Sequence, residues 1–246
     1  MARSSLLAVL ALATISLTPG PPHAQAESKK EKSSPVSLRW AEGAPGCTFA
    51  RDEDGKYRYA LWTDDYGIIL AVDSQELDKV HHRVEPFFGV HITVRYRGMA
   101  MLAVNARRAT LEFVKHFKLI QTALDPEAFA TLAQNDADEL ESQTEREVRK
   151  HPERKEERET YVQTYQKEVA EFLEFLTQRT LPATRLDPDH AEVSGWVLFS
   201  TKNKWLGDWK KPESFLLRFP IANQIVEFPF ELPAQPGDLI LRRRPQ

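Results

Sequence analysis

The chain has 246 residues, 33 basic and 36 acidic side chains, a formal net charge of −3 and one cysteine, Cys47. The small net charge and the mixing of signs exclude the broad positive field on which nucleic-acid binding depends. A chain of this length can bury a core without disulfides, and a single cysteine forms none within the chain.

The N-terminus has the pattern of a secretory signal peptide. Arg3 precedes an apolar run at residues 6–17, and a bend rich in Pro and Gly leads to Ala24-Gln25-Ala26. We predict residues 1–26 to be the signal peptide, with cleavage before Glu27 and export to the periplasm or the extracellular space. A retained N-terminal anchor is the alternative, but the run is short for a membrane span. No later apolar run predicts a transmembrane span.

Short strand signals follow a polar tether. Residues 27–36 are charged and serine-rich, which predicts a disordered tether. Residues 37–124 are predicted to form the first part of a β-sandwich. Alternation of apolar and polar residues from Val90 to Tyr96 predicts a half-buried strand. Other strands are predicted at 47–51, 56–62, 67–72, 101–104 and 110–117.

Residues 125–181 have a helical pattern. Asp125 and Pro126 predict an N-cap and a first helical residue. Pro152 separates two apolar stripes, which predicts an antiparallel helical hairpin. The stripes comprise Phe129, Leu132, Ala133, Ala137, Leu140 and Val148, then Tyr161, Tyr165, Val169, Phe172, Leu173 and Leu176. Interleaved charges from Asp138 to Glu159 indicate a water-exposed tip, with a coiled-coil docking arm as the alternative.

Residues 182–241 are predicted to complete the sandwich, and residues 242–246 to form a basic tail. Strands are predicted at 193–200, 214–219, 225–232 and 238–241, with Pro220 as a boundary and Pro229 indicating a sheet edge. The pattern predicts a mainly β fold with an α-helical insertion. We expect an antiparallel β-sandwich of immunoglobulin-like outline that carries a charged helical hairpin. A small β-barrel and two small β-domains are the alternatives.

The sequence contains no nucleophile elbow, zinc-protease helix, phosphate loop or dinucleotide-binding fingerprint. We therefore predict no catalytic residues and no cofactor. Two further groups of polar side chains are candidate metal ligands: His81, His82, Glu85 and His91, and the turn residues Asp52, Glu53, Asp54, Asp64 and Asp65. The first group lacks the spacing of a zinc site, and the loops of the second are too short for an EF-hand. We therefore predict no metal site.

The loop at 201–212 is the candidate binding site. It interleaves lysines with two tryptophans, and the residues predicted to bind are Lys202, Lys204, Trp205, Trp209 and Lys210. Tryptophans are costly to leave in water unless they pack or bind, so the loop suits a stacking platform for a glycan, an anionic polymer or an envelope protein. The alternative is that both tryptophans cap the open end of the sandwich.

The sequence therefore predicts an exported, soluble, non-enzymatic interaction or assembly module of a bacterial envelope. Two alternatives stay open. One is a secreted hydrolase with a carboxylate site, for example Glu42, Asp52 and Asp64. The other is a structural protein that self-associates through the hairpin.

Overall fold

The computed structural model describes residues 36–51, 57–72, 87–98, 101–115, 119–200 and 213–232. In these residues twelve strands form two β-sheets, and two long helices lie between the eighth and ninth strands. The predicted mainly β fold with a helical insertion is confirmed. The strands are β1 (Val36–Arg39), β2 (Cys47–Arg51), β3 (Tyr57–Trp62), β4 (Tyr66–Val72), β5 (Phe87–Tyr96), β6 (Leu102–Val104), β7 (Thr110–Phe113), β8 (Ile120–Thr122), β9 (Thr184–Leu186), β10 (Glu192–Ser200), β11 (Glu213–Ile221) and β12 (Gln224–Leu232).

The two sheets face each other in a sandwich-like arrangement. One sheet has five antiparallel strands in the order β10-β5-β4-β3-β2. The other has seven strands, in which β12 and β11 are central, β6 and β7 both lie beside β11, and β9 and β8 pair with them. β1 pairs with β12 in parallel, so the sandwich departs from a purely antiparallel one at this strand. The immunoglobulin-like outline stays a prediction.

The core lies between the sheets. Alternate residues of each strand point inward, as a half-buried strand requires, and Ile68, Ile92 and Phe228 are fully buried there. Phe88 of one sheet stacks on Phe215 of the other with ring centroids 5.8 Å apart. These contacts give the two sheets one common apolar core, which fixes their relative position.

The strand boundary predicted at Pro220 is wrong. β11 continues through Pro220, opposite Ile225, to Ile221. β7 pairs with β11 only as far as Arg218, and β6 pairs with it only at Ile221, because a 3-10 turn at Ala106–Arg108 interrupts the ladder. On the side of β11 that faces β6 and β7, the missing N–H of Pro220 therefore costs no hydrogen bond.

The edge predicted at Pro229 is confirmed locally. β1 pairs with β12 only between Gln224 and Glu227, so Pro229 pairs with β11 alone among the described strands. Three short strands, β1, β8 and β9, were not predicted. Three or four residues carry too little alternation to be distinguished from loop, and they pair only because tertiary neighbours bring them to an existing strand.

Candidate functional site

The residues predicted to bind lie outside the described residues. They are Lys202, Lys204, Trp205, Trp209 and Lys210. The strands that this loop joins are described, since β10 ends at Ser200 and β11 begins at Glu213. A binding role for the loop stays a prediction. The same holds for the signal peptide and for the residues His81, His82, Glu85, Asp52, Glu53 and Asp54.

The predicted hairpin is the most prominent feature outside the sandwich. It consists of α1 (Pro126–Lys150), a 3-10 turn (Pro152–Arg154) and α2 (Lys155–Arg179). Asp125 is the N-cap of α1, and its carboxylate accepts a hydrogen bond from the backbone N–H of Glu127 at 3.1 Å. A guanidinium nitrogen of Arg107 lies 3.3 Å from a carboxylate oxygen of Asp125 and 3.3 Å from one of Glu127. These ion pairs connect the first turn of α1 to the 3-10 turn at Ala106–Arg108.

An aromatic cluster fixes the base of the hairpin on the outer face of β5 and β10. Phe87 of β5 stacks on Phe172 with ring centroids 5.4 Å apart, and Phe129 meets Phe172 edge to face at 5.3 Å. Leu198 and Trp196 of β10 complete this cluster. The base therefore buries a mixed helix and strand core of its own, separate from the core between the sheets.

The exit from α2 lies directly against β10. The backbone N–H of Leu181 donates to the carbonyl of Trp196 at 2.9 Å, and Thr180 forms a parallel bridge to the same residue. Gly195 makes this approach feasible, because a Cβ at that position would lie 2.5 Å from the Leu181 nitrogen and 2.6 Å from its Cα. The hairpin is thus fastened at its C-terminal end by backbone contact as well as by side chains.

The distal hairpin has a thin core made of helix residues only. Ala137, Tyr165 and Val169 form a buried cluster to which no strand residue belongs. Burial first, and then the nearby Asp136 carboxylate, raise the pKa of Tyr165 above its usual value. From Ala137 to the end of α1 at Lys150 the helix extends roughly 20 Å, so this part projects beyond the base.

Two residues of the predicted stripes are exposed. Leu132 is 42% exposed and Tyr161 is 47% exposed, whereas Thr144 and Val162 are buried between the helices. Each residue turns the helix by about 100°, so one position decides which side chain faces the partner helix. The sequence pattern predicts Tyr161 to be buried, but the packing of the two helices buries its neighbour Val162 instead.

Charged side chains cover the outer surface of the hairpin. Residues 126–179 contain fourteen acidic and eight basic side chains. Six of the basic ones lie between residues 146 and 158, near the tip, where Arg158 pairs with Glu147 at 3.0 Å across the helices. The shaft below the tip is mainly acidic. Neither helix has an apolar run of the length and hydropathy needed to cross a membrane.

A cleft of about 430 Å³ lies where the hairpin meets the sandwich. Its walls are mostly apolar and include Ala130, Leu176, Leu181 and Trp196, with the Arg107 guanidinium at the polar side. Arg107 is engaged with Asp125 and Glu127, and the hydroxyl of Thr180 donates to the carbonyl of Leu176. The cleft therefore offers shape and apolar surface, but little polar chemistry for a reaction.

Asp52 lies outside the described residues, so the grouping of Glu42, Asp52 and Asp64 as a hydrolase site stays an alternative. Glu42 lines a cleft together with Tyr57 and Tyr59, and Asp64 lies in the turn after β3. Within the described residues, no three His, Cys, Asp or Glu side chains converge as a metal site requires, and the His91 ring packs edge on against Trp196.

From the sequence, Phe49, Tyr57 and Tyr59 are predicted only as strand residues, and Trp40 has no predicted role. The structure groups all four at one open edge of the sandwich, with ring centroids of neighbouring pairs 4.9 to 6.3 Å apart. The spacing of Tyr57 and Tyr59 places both rings on one face of β3, a signal that was readable from sequence. The convergence with Trp40 was not, because it depends on how the two sheets pack.

No protein-family model matches the chain, and no curated protein matches it. Among solved structures it is similar to the crystal structure of a "putative lipoprotein" from Bacillus subtilis, with 12% identity and a TM-score of 0.34. The match covers 70% of this chain and spans 38% of that one. A TM-score at this level does not establish a common fold, so the similarity carries no argument about function.

Proposed function

We propose that the protein is an exported, non-enzymatic interaction module of the cell envelope, and that its helical hairpin is the arm that docks on a partner protein. The observation that supports this is the distal half of the hairpin, which extends roughly 20 Å beyond the base without burying any strand residue. The signal peptide predicted at residues 1–26 supports export, and the envelope location is part of the proposal.

The composition of the arm favours reach over stability. Beyond the base, Ala137, Tyr165 and Val169 form a small buried cluster, and farther out Val162 and Thr144 are buried. An apolar side chain in place of Thr144 would bury more apolar surface. Ion pairs on exposed helices contribute only about 0.2–0.5 kcal/mol each. A long polar hairpin therefore adds little to the fold of the sandwich, and its length is explained by contact with another molecule.

The charge of the arm indicates what kind of surface it meets. The shaft from residue 136 to 141 and from 163 to 174 contains seven carboxylates and one lysine. An acidic shaft below a tip of mixed charge suits a partner with a basic or mixed-charge surface. Binding to such a partner weakens as ionic strength rises, because exposed charges are screened beyond about 8 Å at physiological salt.

A shortened hairpin tests the proposal. Residues 142–163 are removed and Glu141 is joined to Thr164 by a turn of about four residues, within the usual length for helical hairpins. This keeps the base cluster and the cluster around Tyr165. A cooperative unfolding transition shows that the shortened chain is folded.

Photo-crosslinking then locates the partner. A photoreactive amino acid replaces Ser142 or Glu156 on the exposed arm, or Ser194 on the exposed face of β10 as the matched control. We expect one defined partner protein to be captured from the arm positions in the native cells, and the shortened chain to lose binding to it. Equal capture by the control position, or unchanged binding by the shortened chain, would contradict the proposal. A product of two copies of this chain would assign the arm to self-association instead.

A further inference from the structure

An open cleft lined by aromatic rings lies at the edge of the sandwich, away from the hairpin. Its aromatic side chains are Trp40, Phe49, Tyr57, Tyr59, Phe215 and Phe230, and its volume is about 470 Å³. This volume is within the range of pockets that bind small molecules. We refer to it as the aromatic cleft.

The rings of the aromatic cleft are held in fixed positions. The indole N–H of Trp40 donates to the backbone carbonyl of Thr48 at 3.1 Å, and the backbone N–H of Trp40 donates to the backbone carbonyl of Glu227 at 2.8 Å. Tyr59 meets Trp40 almost perpendicularly, at an interplanar angle of 87° with centroids 5.0 Å apart. Phe49 packs between Tyr59 and Tyr57, at 4.9 Å and 5.8 Å. The rings therefore form a continuous wall with faces in several orientations.

Trp40, Phe215 and Phe230 belong to the core between the sheets, and the outer rings of the wall are more open to solvent. Phe49, Tyr57 and Tyr59 are only partly buried, although their inward-facing neighbours Leu61 and Leu70 are 6% and 0% exposed. Protein interiors are packed without voids much larger than a water molecule. Open space beside aromatic rings at this edge is what a binding site requires and what a core avoids.

Two carboxylates lie at the rim of the aromatic cleft. Within the described residues neither Glu42 nor Glu231 has an ion-pair partner, and Glu231 accepts a hydrogen bond from the Ser214 hydroxyl at 2.7 Å. Among the described residues that line the cleft, Arg39 is the one cation, and its guanidinium lies 3.9 Å from Glu227, which also accepts from Arg218 at 3.0 Å. Within this described lining, the unpaired charge is therefore negative.

We propose that the aromatic cleft binds a small organic ammonium cation, such as a free quaternary ammonium solute. The faces of Trp, Tyr and Phe rings attract such cations, and quaternary ammonium groups are recognised elsewhere by cages of aromatic rings. The carboxylates of Glu42 and Glu231 add attraction for a positive ligand at the entrance. A neutral sugar would stack on the rings and donate hydroxyl hydrogen bonds to the carboxylates, but only a cation would gain charge–charge attraction from them.

The titration of Tyr59 agrees with this electrostatic picture. Burial first, then Tyr57 and the Glu231 carboxylate, raise the pKa of Tyr59 to about 12. A tyrosine phenol is neutral at physiological pH, and the raised pKa of Tyr59 keeps it so well into the alkaline range, so the ring retains the face that attracts a cation.

Calorimetric titration of the full mature chain tests the ligand class. Choline is the probe, 3,3-dimethylbutanol is its neutral isostere, and methyl glucoside represents a glycan. We expect choline to bind at least about tenfold more tightly than the isostere, since the two differ chiefly in the positive charge. Equal affinity for choline and the isostere, or binding of the glucoside alone, would overturn the proposal. If the protein sedimented with phosphatidylcholine vesicles but did not bind free choline, the assignment to a free solute would be overturned.

Exposed rim residues give variants that leave the fold intact. The double substitution Glu42→Gln/Glu231→Gln is expected to weaken choline binding by about tenfold, and Arg39→Gln is expected to strengthen it, because only the sign of the removed charge differs. Unfolding curves that match the parent chain confirm that each variant is folded. A Trp40→Leu chain that still folds should lose binding. Rim substitutions that change affinity equally, or not at all, would contradict the proposal.

Discussion

Replacing Gly195 with alanine tests whether the hairpin is fastened to the sandwich by direct backbone contact. Gly195 lies in β10 beneath the segment that leaves α2. The new methyl carbon would lie 2.5 Å from the nitrogen of Leu181 and 2.6 Å from the carbonyl carbon of Thr180, whereas ordinary contacts begin at 3.4 Å. Both neighbours are backbone atoms, so no side chain can rotate away. The exit segment must move by about 1 Å.

Three effects set the magnitude. Overpacking costs about 1–3 kcal/mol. Movement of the segment also weakens the hydrogen bond from the Leu181 N–H to the Trp196 carbonyl, which is 2.9 Å long and contributes about 1 kcal/mol. Alanine restricts the unfolded chain and returns about 0.4–1 kcal/mol. We therefore expect the free energy of unfolding to fall by about 2 kcal/mol, which corresponds to a melting temperature about 4–8 °C lower.

Urea unfolding gives the free energy, and hydrogen exchange gives the location of the change. We expect the amide of Leu181 to exchange faster in the Gly195→Ala chain. Gly89→Ala is the matched control on the adjacent strand, because its methyl carbon would lie 3.0 Å from a side-chain carbon of Trp196 rather than against backbone atoms. An unfolding free energy within about 0.5 kcal/mol of the parent, with unchanged protection of Leu181, would refute the reasoning.

Three further substitutions probe separate contacts. Phe172→Ala removes the ring at the centre of the base cluster and should lower the unfolding free energy by about 3–5 kcal/mol in urea titrations, whereas Leu132→Ala on the exposed side of α1 should cost less than about 1 kcal/mol. Asp125→Ala removes the N-cap of α1 and should cost about 1 kcal/mol by the same assay, and no loss would mean that the cap contributes nothing. Burial, and then the Asp65 carboxylate, raise the pKa of Tyr66 from 10.0 to about 12, so the stability it contributes is present below about pH 10 and is lost as pH rises toward 12. Tyr66→Phe should therefore flatten the decline of urea midpoints measured across alkaline pH, and an unchanged slope would contradict this.

The helix signals in the sequence were local and proved reliable. Asp125 and Pro126 set the start of α1, and Pro152 separates the helices, because capping and proline geometry act within one turn. The buried faces were predicted less well. Tyr161 was expected inside and is exposed, while Val162 beside it is buried, since a rotation of one residue depends on the partner helix.

The two candidate binding sites differ in the same respect, because one is visible as a local sequence pattern and the other depends on tertiary packing. The loop with Trp205 and Trp209 is recognisable from the sequence because the two tryptophans are only four residues apart, and its binding role stays a prediction. The aromatic cleft was missed, because its members come from separate strands and from the chain after β1. Trp40 and Tyr59 are nineteen residues apart in the chain and 5.0 Å apart between ring centroids.

The sequence by itself determined the mainly β fold, the position of the inserted hairpin and the residues at which its helices begin and are interrupted. Those features depend on periodicity, caps and prolines, which act over a few neighbouring residues. Only the tertiary structure decided that β1 runs parallel to β12, that Leu181 lies on Gly195, and that aromatic rings meet at the sandwich edge. Such contacts join residues distant in sequence, and they are fixed by the packing of sheets and helices around shared cores.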